Sequence, residues 1–259
     1  MAAVLQCATA QSLLIPPEYS QSSITNAAAS RAGRLALNTI ITIYGKNLSN
    51  FTWAIRDQDI RNGLLPTATP NGEVNVLFQG LRLPLFFVSP TQINALLPAT
   101  LDAGPGAIRV YRDVLRGPAV VVNLANEAPE IFQLEENFAA ATNADGRVLT
   151  KDSPAEANEV VVIYGTGFGK LLATEANSLF PTRASEVIRK SDYHVRIDGA
   201  EVPAASIQYL GITPGLAGLF QLNLKLPAEL PENPSIELGI SDVWSAPIVR
   251  LRTRFSATN

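Results

Sequence analysis

The chain has 259 residues, 47% of them hydrophobic and only 17% charged, with a formal net charge of −3. That size suits one large domain or two of ordinary size with a real core, and the apolar share excludes a disordered chain. No run of Lys or Arg occurs, which argues against nucleic acid as a partner, because neutralising phosphates needs clustered cations.

Low charge together with 18 Pro and 17 Gly is the composition of many short strands joined by turns. No apolar stretch reaches the ~18 residues of a membrane helix, so no transmembrane segment is expected. The single cysteine, Cys7, cannot form an intrachain disulfide. The single histidine, His194, cannot build a Cys/His zinc site.

Residues 1–21 read as an N-terminal extension or a signal-peptide remnant. Ala2 to Ala10 is short and apolar and ends in a small-x-small pattern before Gln11, like the tail of a secretory signal peptide. The charged leader and most of the apolar core are missing, and an ordinary N-terminal strand or extension is the other reading. Ser20 to Ser30 reads as a loop or short helix.

Asn38 to Tyr44 is the first strong strand, a β-branched run turned by Gly45-Lys46-Asn47. Glu73 to Phe78 alternates polar and apolar residues, as a half-buried strand does. Leu83 to Val88, Gln92 to Leu97, Ala107 to Arg112 and Ala119 to Leu124 follow. With one more allowed in the poorly patterned stretches, these six make a series of about seven short strands, which predicts a β-sandwich.

The pattern then restarts. Glu159 to Gly165 ends in Ile-Tyr-Gly, as Asn38 to Gly45 does. His194 to Gly199 parallels Asn75 to Gly80, Val202-Pro203 parallels Leu83-Pro84, and Gln221 to Pro227 parallels Gln92 to Pro98. Gly211 to Leu219 is a loop of the second copy alone. Ser235 to Ile240 and Ile248 to Phe255 close the second set. Matched order in two copies predicts an internal duplication. The fold class is therefore all-β, two tandem immunoglobulin-like sandwiches, with domain 1 over residues 22–127 and domain 2 over 128–259.

Ile-Tyr-Gly followed by Asn47-Leu48 or by Gly167-Phe168-Gly169 resembles the opening strand and turn of IPT/TIG domains, an immunoglobulin-like fold. A tandem module, the Solibacter uncharacterised C-terminal domain, is similar over about residues 22–255. The resemblance is carried by Ile24 to Ser30, Leu85 to Asn94, Ala128 to Phe132, Asn143 to Gly146 and Thr213 to Asn223. It implies a secreted or cell-envelope protein, extracellular or periplasmic. It carries over no activity and no catalytic residues.

Gly165-Thr166-Gly167-Phe168-Gly169-Lys170 fits neither the dinucleotide nor the P-loop spacing and reads as turn chemistry. His194 has no nucleophile elbow and reads as a surface or edge residue. Asp57 and Asp59, with Glu135-Glu136 or Asp145, supply oxygen for Ca²⁺, but the dense alternating acids of a calcium loop are absent and solvated carboxylates are the default. Arg250, Arg252 and Arg254 alternate with apolar residues, which puts three guanidiniums on one strand face.

No catalytic set, cofactor site or metal site stands out. The expected role is a non-catalytic surface protein mediating adhesion or protein contact. The alternative is carbohydrate binding, with Trp53 stacking on sugar and Asp57, Asp59 and Asn62 meeting hydroxyls; a core Trp53 is the competing reading. Trp244 is the second tryptophan. The partner is accordingly a protein or a polysaccharide on the envelope or outside the cell, and not nucleic acid.

Overall fold

The computed structural model describes residues 15–29, 33–135, 137–173 and 181–256. Cys7 and the signal-like Ala2 to Ala10 lie outside the described residues, as does Glu136.

The first half forms β1 (Ile24–Asn26), β2 (Leu35–Ala36), β3 (Thr39–Tyr44), β4 (Trp53–Ala54), β5 (Val74–Phe78), β6 (Leu81–Arg82), β7 (Leu85–Val88), β8 (Gln92–Leu97), β9 (Gly104–Arg112), β10 (Leu115–Arg116) and β11 (Val120–Ala125). One sheet runs β1-β3-β8-β7-β4. The other runs β2-β11-β9-β5-β6, with β10 paired to β9.

The second half forms β12 (Glu130–Ile131), β13 (Gln133–Glu135), β14 (Phe138–Ala139), β15 (Ala141–Asn143), β16 (Val160–Thr166), β17 (Tyr193–Ile197), β18 (Ala200–Glu201), β19 (Ile207–Ile212), β20 (Phe220–Lys225), β21 (Ile236–Ile240) and β22 (Val243–Trp244). Its sheets run β12-β16-β20-β19, with β15 paired to β16, and β18-β17-β21-β22, beside a β13-β14 pair.

The chain is all-β and made of immunoglobulin-like sandwiches. Strand for strand, β3-β8-β7 returns as β16-β20-β19, and β6-β5-β9-β10 returns as β18-β17-β21-β22. The parallel pairing of β2 with β11 returns as a parallel bridge between Phe138 and Arg250. Ile248 to Phe255 does not form the continuous closing strand that the sequence suggests. Its backbone bonds are shared between separate segments: Arg250 O accepts from Ala139, Val249 O accepts from Ile236, and Leu251 N–H donates to Pro234.

Two compact units group the described residues. One contains those before 25 with 41–96 and 105–123; the other contains 25–40, 97–104 and those from 124 onward. Inside the second unit the side chain of Thr166 accepts the Ile40 N–H at 3.0 Å and donates to Gly218 O at 2.7 Å.

Alternation fixes the core. Along β5, Val74, Val76 and Phe78 are buried while Asn75 and Leu77 are half-exposed. Along β17, Tyr193, Val195 and Ile197 are buried while His194 and Arg196 point outward. Strand geometry makes this a single choice, since side chains on alternate residues face opposite ways. In the second unit Phe168 packs on Phe220 and Tyr193 at centroid distances of 5.1 and 6.3 Å. Each such ring contributes roughly 1.5–3 kcal/mol by leaving water. The Tyr193 hydroxyl donates to Phe168 O at 2.9 Å, and burial holds its pKa well above the ordinary phenol value.

The repeated Tyr-Gly has a steric cause. A Cβ on Gly45 would lie 2.3 Å from Glu18 O, and one on Gly165 would lie 2.5 Å from Glu130 O. Gly167 adds a φ of +83° and a would-be Cβ 2.4 Å from Ala128 O. Glycine lets the neighbouring backbone approach and accepts the left-handed conformation cheaply. Gly146 has a similar φ of +88° but open space around it. Gly167→Ala is therefore expected to cost roughly 3 kcal/mol and Gly146→Ala about 1 kcal/mol. Urea unfolding of the two variants measures the difference.

Candidate functional site

Trp53 does not offer a sugar platform. It is 9% exposed and sits opposite Val88 in the β4–β7 pairing, with Ala54 pointing outward instead. The two-residue strand turns the ring into the core. Asp57 and Asp59 share one 3₁₀ turn, where Asp59 Oδ2 accepts the Arg56 N–H at 3.0 Å. Asn62 is exposed, with φ of 54° in the Arg61–Leu64 turn. Asp57 and Asn62 are exposed and Asp59 is half-buried, while the Trp53 ring is turned inward.

The other candidates are also accounted for. His194 is exposed on β17, and its Nδ1 meets Glu201 Oε1 at 2.5 Å. Asp145 accepts the Arg147 N–H at 3.0 Å, and Glu135 pairs with Arg252. Among the described residues, no three His, Cys, Asp or Glu side chains come together as a metal site. The three C-terminal arginines do alternate outward, but each is engaged. Arg252 lies 3.3 Å from the Phe138 ring centroid, Arg254 pairs with Glu156 at 3.1 Å, and Arg250 donates to Asn233 O at 3.3 Å.

A different aromatic faces outward. β21 and β22 form a hairpin that puts Trp244 directly opposite Gly239. A Cβ on Gly239 would lie 2.4 Å from the indole. The glycine therefore lets the ring lie down on the strand. Ser245 locks the hairpin: its N–H donates to Leu238 O at 2.9 Å, and its Oγ accepts the Leu238 N–H at 3.0 Å. Arg196, from the neighbouring β17, then brings its guanidinium to 3.7 Å from the Trp244 ring centroid. Cation–π contact at this range holds the planar cation in a fixed orientation.

Around this stack is a cleft of about 480 Å³, with Arg34, Glu130, Glu237 and Asp242 among its walls. Glu130 Oε2 accepts the Ala246 N–H at 3.0 Å. Among the described residues, no carboxylate pairs with Arg196. The cleft thus combines an apolar ring, guanidinium donors and carboxylate acceptors. With Gly239 under one face of the ring and Arg196 over the other, the indole edge and the polar groups around it are what a ligand meets, a set that suits a molecule rich in hydroxyl groups.

The sequence named Trp244 without its partner. Arg196 was legible only as an outward residue of an alternating strand, and Gly239 as a glycine inside a strand, which signals close approach of another group. The pairing across β17, β21 and β22 joins them.

No protein-family model matches the chain, and no curated protein matches it. Solved structures are similar at low level. The surface glycan-binding protein PbSGBP-B from Prevotella bryantii is 12% identical with a TM-score of 0.28, over 88% of this chain and 40% of that one. The Bacteroides ovatus mixed-linkage glucan utilization locus SGBP-B, in complex with a mixed-linkage heptasaccharide, is 11% identical with a TM-score of 0.31, over 86% and 42%. The plexin A4 extracellular region is 11% identical with a TM-score of 0.30, over 92% and 18%. The chain spans less than half the length of each of these proteins.

The two tryptophans differ in access, so they differ in quenching. Acrylamide is expected to quench the emission of Trp244 and leave that of Trp53 largely untouched. Stern–Volmer plots of Trp53→Phe and Trp244→Phe check this: the quenchable component disappears only with Trp244.

Proposed function

We propose that this chain is a non-catalytic binding module of a secreted or envelope protein, and that it recognises carbohydrate through the Trp244 cleft. The observation that carries the reading is the Arg196–Trp244 stack, 3.7 Å from guanidinium to ring centroid, in a cleft that also holds Glu237 and Asp242. Stacking fixes the guanidinium plane, so its N–H groups meet ligand hydroxyls without further ordering. The carboxylates accept from other hydroxyls. The resemblance to tandem IPT/TIG-type modules of the Solibacter family supports a location outside the cytoplasm. His194 is exposed, pairs with Glu201, and has no nucleophile elbow in the sequence to serve.

Titration of the purified chain with a panel of bacterial and plant polysaccharides tests this through tryptophan emission. The expected result is a saturable shift with at least one of them. It vanishes in Trp244→Ala, weakens roughly tenfold in Arg196→Ala, and persists in Trp53→Phe. A flat response across the panel, or a shift that survives Trp244→Ala, removes the cleft as a carbohydrate site.

Adhesion through a protein partner is the second reading, and a second groove favours it. It has a volume of about 680 Å³ and an apolar floor that includes Leu230 and Pro227, beside Phe255, which is 66% exposed. Asp198, Glu201 and Glu232 stand on its rim, and among the described residues no Lys or Arg lines it. That chemistry fits a partner segment with basic side chains between apolar ones. A synthetic peptide alternating Lys and Leu is expected to bind the chain and to lose roughly tenfold in affinity with Phe255→Ser; equal affinity for both proteins sinks this reading.

A further inference from the structure

The first unit carries a second face, at the place in its sandwich that corresponds to the Trp244 stack. Cross-strand register builds it in two rows. Arg82, Leu77 and Arg109 stand side by side on β6, β5 and β9. Asn75, Tyr111 and Arg116 stand side by side on β5, β9 and β10. All six point away from the core, since Val74, Val76, Phe78, Ile108 and Val110 fill the other side. Arg116 lies 5.9 Å from the Tyr111 ring centroid.

The charge of this face is one-sided. No Asp or Glu occurs on β5, β6, β9, β10 or β11. Asp113, at the tip between β9 and β10, and Glu73, before β5, are the acids that flank it. Glu73 is engaged, accepting from Asn50 N–H at 3.2 Å and Asn71 Nδ2 at 3.3 Å. Among the described residues, no carboxylate pairs with Arg82, Arg109 or Arg116. Arg189, Arg252 and Arg254 have acid partners, whereas Arg196 and Arg250 have no carboxylate among the described residues; what sets this face apart is that three such arginines share it. A protein of net charge −3 thus keeps three arginines without a carboxylate partner on the face that carries Tyr111.

We propose that this face binds an acidic polysaccharide, one whose sugars carry carboxylates. Arginine forks match carboxylates in a bidentate manner. Strand spacing puts the Cα atoms of Arg82 and Arg109 about 10 Å apart, and successive outward residues on one strand lie about 7 Å apart. Several carboxylates of one extended chain therefore meet different arginines. Tyr111, beside Arg116 across the pair and next outward from Arg109 on β9, is a flat apolar contact for a sugar ring, Leu77 lies between Arg82 and Arg109, and Asn75 adds an amide for hydroxyls. An acidic peptide fits less well. The outer strand on this side, β6, is two residues long, so an extended peptide has almost no backbone ladder to join. Recognition has to come from side chains on a flat face. The proposal does not use Trp244 and is independent of the cleft on the second unit.

The test uses the full chain and polygalacturonate, with its fully methyl-esterified form as the uncharged control. Affinity electrophoresis or calorimetry at low salt reads the binding. The expected result is binding to polygalacturonate and not to the ester, with affinity falling as salt rises. Arg109→Gln/Arg116→Gln is expected to weaken it by roughly tenfold or more, while Trp244→Ala leaves it unchanged. Thermal melting of the double variant confirms folding. Equal binding of the ester, unchanged affinity in the double variant, or no binding to polygalacturonate, alginate or hyaluronate overturns the proposal. Tighter binding of poly-glutamate than of all three acidic polysaccharides also overturns it and assigns the face to an acidic protein.

Discussion

The period of two along each strand is the constraint on which everything else here depends. Once Val195 and Ile197 go into the core, Arg196 has to leave it. Once Ile236 and Leu238 go in, Glu237 faces out. The same logic in the first unit sends Leu77, Arg109 and Tyr111 outward together. The candidate binding faces are thus the reverse side of the hydrophobic core, read through the same strands. A one-residue slip would exchange core and face, and would bury unpaired arginines at high cost.

Two glycine roles shape these sandwiches, and they should be kept apart. Gly45 and Gly165 let a neighbouring carbonyl come close, so they belong to folding. Gly239 makes room for an indole on the outer surface, so it belongs to the site. In the first unit Tyr111 occupies the position that matches Gly239, and Arg116 the position that matches Trp244. The aromatic ring has moved from the hairpin onto the central strand, and the arginine the other way.

Much of the architecture was legible. The Ile-Tyr-Gly runs, the alternating segments and their order gave both sandwiches, because long strands with a buried face carry a clear period. Strands such as β1, β2 and β4 were not legible, since two or three residues have no period to detect. β19 escaped because Gly211 and the following Thr213-Pro214-Gly215 read as loop. The site was only half legible. Trp53 sits in a polar stretch yet folds inward, because pairing with β7 and not local composition decides its side. Trp244 and Arg196 lie on strands that meet only through β21, and a linear scan does not show that meeting.

The hairpin that ends in Trp244 and its counterpart ending in Arg116 have a consequence for how such a chain changes over time. Arg116 is exposed and Trp244 half-exposed, so substitutions there reach the core less than substitutions on its inner face do. A duplicated sandwich can therefore explore ligands in one copy while the other keeps its own. The scaffold is insured against the search, and two copies of one fold can come to hold two different recognition chemistries.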